Sequence, residues 1–157
     1  MDDGKRALAY ALRILSRRDS SISGVVSKLN GKGFAESIVA ETVVHLQESG
    51  YLDDRRFARQ WAESAIRNGR GFGPRLRLDL ARLGVPAEII TETVSSLTAE
   101  YDEIETIDGL LKRKFVGFYP ISASDREKRR VIQYMQRRGF STAAIFHAFR
   151  NIEDYQE

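Results

Sequence analysis

Glycine stands at positions 33, 84 and 139 in the same apolar frame each time, and this recurrence restricts the possible folds more than any other feature. The residue after each glycine is Phe34, Val85 or Phe140. Four residues before it stand Leu29, Leu80 and Met135, and eight before it Val25, Leu76 and Val131. Six residues after it come Val39, Ile90 and Ile145, then Val43, Val94 and Phe149 at ten, and Leu46, Leu97 and Ile152 at thirteen. A match of this kind at a spacing of about 50 residues marks an internal repeat.

The offsets before and after each glycine follow the i, i+4, i+7 spacing of an apolar helix face. The glycine falls just past the first of these two helices, where a left-handed residue ends the helix. The second helix is predicted to start near Ser37, Ala87 or Thr142, with Ser141 as an N-cap and Pro86 in a first turn. A further helix precedes each pair. These are Lys5–Arg17 with Leu8, Leu12 and Leu15 on one face; Asp54–Asn68 with Phe57, Trp61 and Ile66, capped by Asp53; and Glu103–Phe115 with Ile104, Ile107 and Leu111. The expected fold is all-α, an elongated row of three tandem three-helix modules spanning residues 1–50, 51–101 and 102–157. One such module has a marginal core, and stacking on neighbours extends it. A nine-helix bundle without true repeats is the competing architecture. The third linker, VGFYPISASDREK, is longer than its counterparts, and its Gly117 and Pro120 give it the composition of a hinge.

The chain has no cysteine, so disulfides, thiolate metal sites and a cysteine nucleophile are excluded, and a reducing cytoplasm fits. No apolar run approaches the roughly 20 residues that cross a bilayer, so no membrane partner is expected. ALAYALRIL runs straight into SRRDS and is read as helix, not as a signal peptide. The net charge of +3 is modest, but it is unevenly placed. Residues 51–85 hold eight arginines against four acids, residues 86–110 hold seven acids and no Lys or Arg, and residues 111–140 hold nine bases against two acids. Clusters of this kind are either solvated helix faces or contacts for an anionic partner.

The stretch NGRGFGPRLRLDL, residues 68–80, resembles a phosphate cradle at first sight. A dinucleotide fingerprint needs a preceding strand, and here the preceding segment is helical; a Walker loop needs Gly-Lys-Ser/Thr, which is absent. The loop therefore reads as a joint: Gly69 ends a helix, Gly71 and Gly73 turn the chain, and Pro74 opens the next helix. Arg70, Arg75 and Arg77 surround that helix start, where free N–H groups and the dipole favour an anion. Anion contact and a plain interhelical turn both remain open.

Other residues carry weaker signals. Phe72 is expected at the surface of the glycine loop, covering the turn or offering a platform for bases. Trp61 is expected in the core beside Phe57, and Tyr51 is expected to pack between modules. His45 and His147 have no metal-type spacing. The acids Glu100, Asp102, Glu103, Glu105 and Asp108 do not follow a calcium loop and suit a helix start.

The segment GYLDDRRFARQWAESAIRNGRGFGPRLRLDLARLGV, residues 50–85, resembles the centre of the RecX family of RecA regulators. ALRILSRRDSSISGVVSKLNGKGF resembles the first module of that family and REKRRVIQYMQRRGFSTAAIFHAF its last, so the resemblance covers nearly the whole chain. Two departures stand out: Leu76, where the family often has a base, and Gly24, where an acid is common. The resemblance implies a protein without catalytic residues or a cofactor. It would be a cytoplasmic monomer that binds the RecA filament on single-stranded DNA. It would inhibit the filament's ATPase, strand exchange and coprotease activities, with some direct DNA binding. The candidate contacts are Arg67, Arg70, Arg75 and Arg77 in the middle module and Lys128, Arg129, Arg130, Arg137 and Arg138 in the last. The competing reading is a stand-alone helix-turn-helix DNA-binding protein; against it, the second helix of the central pair carries Glu88 and Glu92 and no base.

Overall fold

The structure is a computed structural model and describes residues 2–154. Nine helices and no strand occur among the described residues. They are α1 (Asp3–Arg17), α2 (Ile22–Gly31), α3 (Glu36–Glu48), α4 (Asp54–Arg67), α5 (Pro74–Arg82), α6 (Ala87–Glu100), α7 (Glu103–Lys114), α8 (Asp125–Arg137) and α9 (Thr142–Asp154). No helix among the described residues is long and apolar enough to cross a membrane.

Local chemistry sets the helix ends. The Asp2, Ser21 and Asp102 side chains accept from the backbone N–H groups of Lys5, Gly24 and Glu105. Ser124 and Glu127 form a reciprocal capping box at the start of α8. Asp53 accepts from the N–H groups of Arg55 and Arg56, and Ser141 from that of Ala144, as the sequence predicts. Pro86 stands one place earlier than expected: its carbonyl accepts from Ile90 N–H, and α6 begins at Ala87.

The anchor glycines have φ of 85, 81 and 90°, which a side chain disfavours. Each closes the preceding helix with a paired bond. Gly33 and Phe34 N–H groups donate to the Asn30 and Leu29 carbonyls, Gly84 and Val85 to Ala81 and Leu80, and Gly139 and Phe140 to Gln136 and Met135. The apolar residue after the glycine is thereby brought back over the helix it ends. Every repeated apolar position named above is buried except Phe34 and Ile152, which are half-buried.

The chain forms two compact units. The first holds the residues up to Trp61 together with Asp79–Thr93. Its α1–α3 core is built on Ala7, Ala11, Val25, Leu29, Val39, Leu46 and Leu52. The α1 face differs from expectation: the alanines lie innermost, and Leu8, Leu12 and Leu15 flank them half-buried. Each fully buried leucine such as Leu29 contributes about 1.5–3 kcal/mol. The Ser21 hydroxyl donates to the Leu83 carbonyl at 2.6 Å, and Ile22 N–H donates to Asp54 at 2.9 Å.

The second unit holds Ala62–Leu78 and the described residues from Val94 onward. Within it α7 and α8 pack on α9, burying Ile107, Leu110, Leu111, Val131, Met135, Ile145, Ala148 and Phe149. The aromatic residues of the long linker are seated in this unit. Phe115 meets Tyr134 edge-on at 5.0 Å, Phe118 lies 5.4 Å from Phe149, and Pro120 is buried.

Candidate partner-binding surface

The glycine loop of residues 68–74 is a packing joint inside the second unit. Gly69, at φ 67°, closes α4, and a Cβ there would stand 2.5 Å from Leu110 Cδ1. Gly73, at φ 48°, leads into α5 at Pro74. Phe72 corrects the expectation of an exposed ring. It is 5% exposed and stacks on Phe140 with centroids 5.5 Å apart and planes 16° from parallel. Its N–H donates to the Arg138 carbonyl at 2.8 Å, so that group points into the protein and not toward an anion. Arg75 adds a bond from Nη1 to the Arg137 carbonyl at 3.4 Å. Two clusters far apart in sequence thus meet at one place.

The candidate arginines sort by geometry. Arg67 is tied down: Nη2 reaches Glu63 at 3.1 Å, Nε reaches the Tyr101 hydroxyl at 3.2 Å, and that hydroxyl donates to Glu63 at 2.7 Å. The Tyr101 bond first, and the Glu63 charge second, raise the Arg67 pKa. Arg70 bonds the Ser64 hydroxyl at 3.1 Å. Arg77 is exposed on α5. On α8, Val131 and Met135 face the core and half-buried Lys128 flanks them. At 3.6 residues per turn, Arg126, Arg130, Gln133 and Arg137 align on the opposite side with Arg129 beside them, and all five are exposed. Arg138 leaves that stripe. Its guanidinium lies 3.5 Å from the Tyr134 ring centroid, and its Nε is buried without a hydrogen-bond partner. Arg126, not among the candidate contacts, belongs to the stripe by its spacing of four from Arg130 and eleven from Arg137, a signal present in the sequence.

The stripe offers planar multi-donor groups to phosphate or carboxylate, held on a capped helix. The acidic run has another place. Asp102 caps α7, and Glu103 accepts from Ser141 N–H at 2.7 Å. Asp108 keeps one buried carboxylate oxygen without a partner. Desolvation, with smaller contributions from Asp102 and Glu105, raises its pKa above the ordinary 3.8; Lys112 and His147 pull the other way. His45 and His147 are exposed. Two aromatic expectations are also corrected: Tyr51 is 53% exposed instead of packed, and Trp61 is only half-buried.

A tandem three-helix protein with a basic helix face has known counterparts. Residues 7–46, 53–94 and 100–149 match the first, second and third three-helix domains of RecX. The chain is 37% identical to the regulatory protein RecX of Trichlorobacter lovleyi over 139 residues, covering 88% of this chain and 90% of that protein. It is 31% identical to that of Thermus thermophilus over 155 residues, covering 98% and 97%. The crystal structure of RecX from Lactobacillus salivarius superposes with a TM-score of 0.78 at 18% identity, covering 97% of each chain. The chain belongs to the RecX family of regulatory proteins. The departure at Leu76 has a local reason, since that side chain is fully buried.

Proposed function

We propose that this chain binds the RecA filament on single-stranded DNA and restrains it. Binding inhibits the filament's ATPase, strand exchange and coprotease activities and limits its growth in the cytoplasm. The chain acts by binding, as a monomer, and carries out no chemistry of its own. The observation that carries this reading is the exposed Arg126, Arg129, Arg130 and Arg137 stripe, backed by Arg75 on the Arg137 carbonyl. Such a face supplies phosphate contacts, and the acidic α6–α7 segment repels uniform coating of bare DNA. Lys128 and Arg138 serve the fold more than the contact, and Arg67 and Arg70 are pre-positioned by Glu63, Tyr101 and Ser64.

The test is the ATPase rate of pre-formed RecA filaments on single-stranded DNA during titration with this protein, beside a binding assay on bare DNA. Inhibition well below the concentrations that coat bare DNA is expected. Tight, sequence-selective duplex binding without inhibition would replace this reading with the helix-turn-helix one.

A further inference from the structure

The glycine turn after the second helix of each repeat has one geometry, and two of the three turns receive the first turn of a helix. In the first unit the turn at Gly84 receives α2. The Ser21 cap donates to the Leu83 carbonyl, and a Cβ on Gly84 would overlap Ser23. In the second unit the turn at Gly139 receives α5. Phe72 N–H donates to the Arg138 carbonyl, and a Cβ on Gly139 would lie 2.9 Å from Arg75 Cβ. Ser23 and Arg75 are equivalent, because each is the second residue of its helix. So the turn accepts a donor on the carbonyl before the glycine and a helix residue against the glycine itself.

The turn at Lys32, Gly33 and Phe34 has the same left-handed glycine and the same closing bonds. Yet Gly33 is exposed and nothing lies within 4 Å of where its Cβ would stand. Phe34 is half-exposed, although its counterparts Val85 and Phe140 are buried. It walls a groove of about 310 Å³ with Arg6, Ala9, Tyr10, Arg13 and Lys32. The cations are braced on the rings: Arg6 lies 5.9 Å from the Phe34 centroid, and Arg13 and Lys32 lie 5.5 and 5.2 Å from that of Tyr10. Arg6 pairs with Asp3, whereas Arg13 and Lys32 have no carboxylate partner among the described residues.

We propose that this groove is a socket for the N-terminal turn of an acidic helix of a partner protein. The residues at and just before a helix start bring donors, which suit the Lys32 carbonyl as the Ser21 hydroxyl suits that of Leu83 and Phe72 N–H that of Arg138. The second residue of that helix sits over Gly33, as Ser23 sits over Gly84 and Arg75 over Gly139. Acids, which helix N-termini favour, meet Arg13 and Lys32. A second copy of this chain fits poorly. The helix in register would be α8, whose first turn holds Asp125 and Glu127 but also Arg126 and Lys128, with Arg129 and Arg130 next, so its cations outnumber the acids that would face Arg13 and Lys32. Single-stranded nucleic acid also fits poorly, because the rings that would stack on bases already carry cations. The inference stands apart from the filament reading, which uses α8.

The test uses the full chain, labelled with ¹⁵N, and an alanine-rich helical peptide of about 20 residues, a length that is helical in isolation. The peptide begins Ser-Glu-Ala-Glu. Its controls are a peptide of the reversed sequence and an oligothymidylate of similar length. Only the first probe is expected to shift the amides of Tyr10 and residues 32–34. Arg13→Glu with Lys32→Glu is expected to weaken binding at least about tenfold. Gly33→Asn is expected to do the same by filling the turn, with an unchanged circular dichroism spectrum, because Asn tolerates the left-handed region and meets no neighbour there. The proposal is overturned if the reversed peptide binds as well, if oligothymidylate displaces the peptide, or if millimolar peptide shifts nothing. Self-association abolished by Gly33→Asn would overturn it too, by making the occupant a second copy.

Discussion

Replacing Gly139 by alanine separates two costs that usually come together. The left-handed backbone, at φ 90°, penalises any Cβ by about 1–2 kcal/mol. At Gly139 the new methyl also overlaps the Phe72 carbonyl and crowds Arg75, an overpacking that costs about 1–3 kcal/mol. Relief requires the loop to withdraw, which strains the bond from Phe72 N–H to the Arg138 carbonyl, worth about 1 kcal/mol. Together these give about 3–6 kcal/mol for Gly139→Ala. Gly33→Ala meets no neighbour and bears the backbone cost alone, about 1–2 kcal/mol. Urea unfolding followed by circular dichroism compares the two midpoints at constant m. Gly139→Ala is expected to lose about 2–4 kcal/mol more than Gly33→Ala, from the overpacking and the strained bond. Equal losses would show that the loop contact contributes nothing and would refute the packing account of the glycine loop.

Arg130→Ala with Arg137→Ala is expected to weaken binding to RecA filaments and to flatten its salt dependence by about 1–2 in the log–log slope, with urea stability unchanged. Tyr101→Phe removes the hydroxyl shared by Glu63 and Arg67 and is expected to cost about 1 kcal/mol in urea unfolding. Asp108→Asn is expected to stabilise the fold at neutral pH. The folded-state pKa of Asp108 is raised, so its ionised form carries a penalty that is present above that pKa and disappears as pH falls through it. The gain should therefore vanish in urea titrations at pH values below the ordinary 3.8.

The repeat was legible because each of its signals is local. A glycine that must turn left-handed and an apolar residue returned over the same helix depend on six consecutive residues, from Leu29 to Phe34 or from Met135 to Phe140. The helix caps at Asp53 and Ser141 were legible for the same reason. What the sequence hid was cover supplied from afar. Phe72 reads as a surface ring in a glycine loop, and it is buried with Phe140 stacked against it. Arg138 looks like one more surface base until Tyr134 is found under its guanidinium. The α1 face is hard to read because leucine counts more than alanine in any apolar pattern, although Ala7 and Ala11 are the fully buried residues. The division of the α8 bases into an exposed stripe and a half-buried Lys128 follows from the helical angle alone and is therefore present in the sequence.

The recurring contact at the glycine turn uses a main-chain oxygen and a missing side chain. The residue that supplies the oxygen is Leu83 in one turn and Arg138 in the other, an apolar and a charged residue doing the same work. On its accepting side, a joint made this way depends on the absence of one side chain and not on the identity of the residue that offers the oxygen. The side chain on the residue that supplies the oxygen is free to change while the geometry persists, provided the glycine stays.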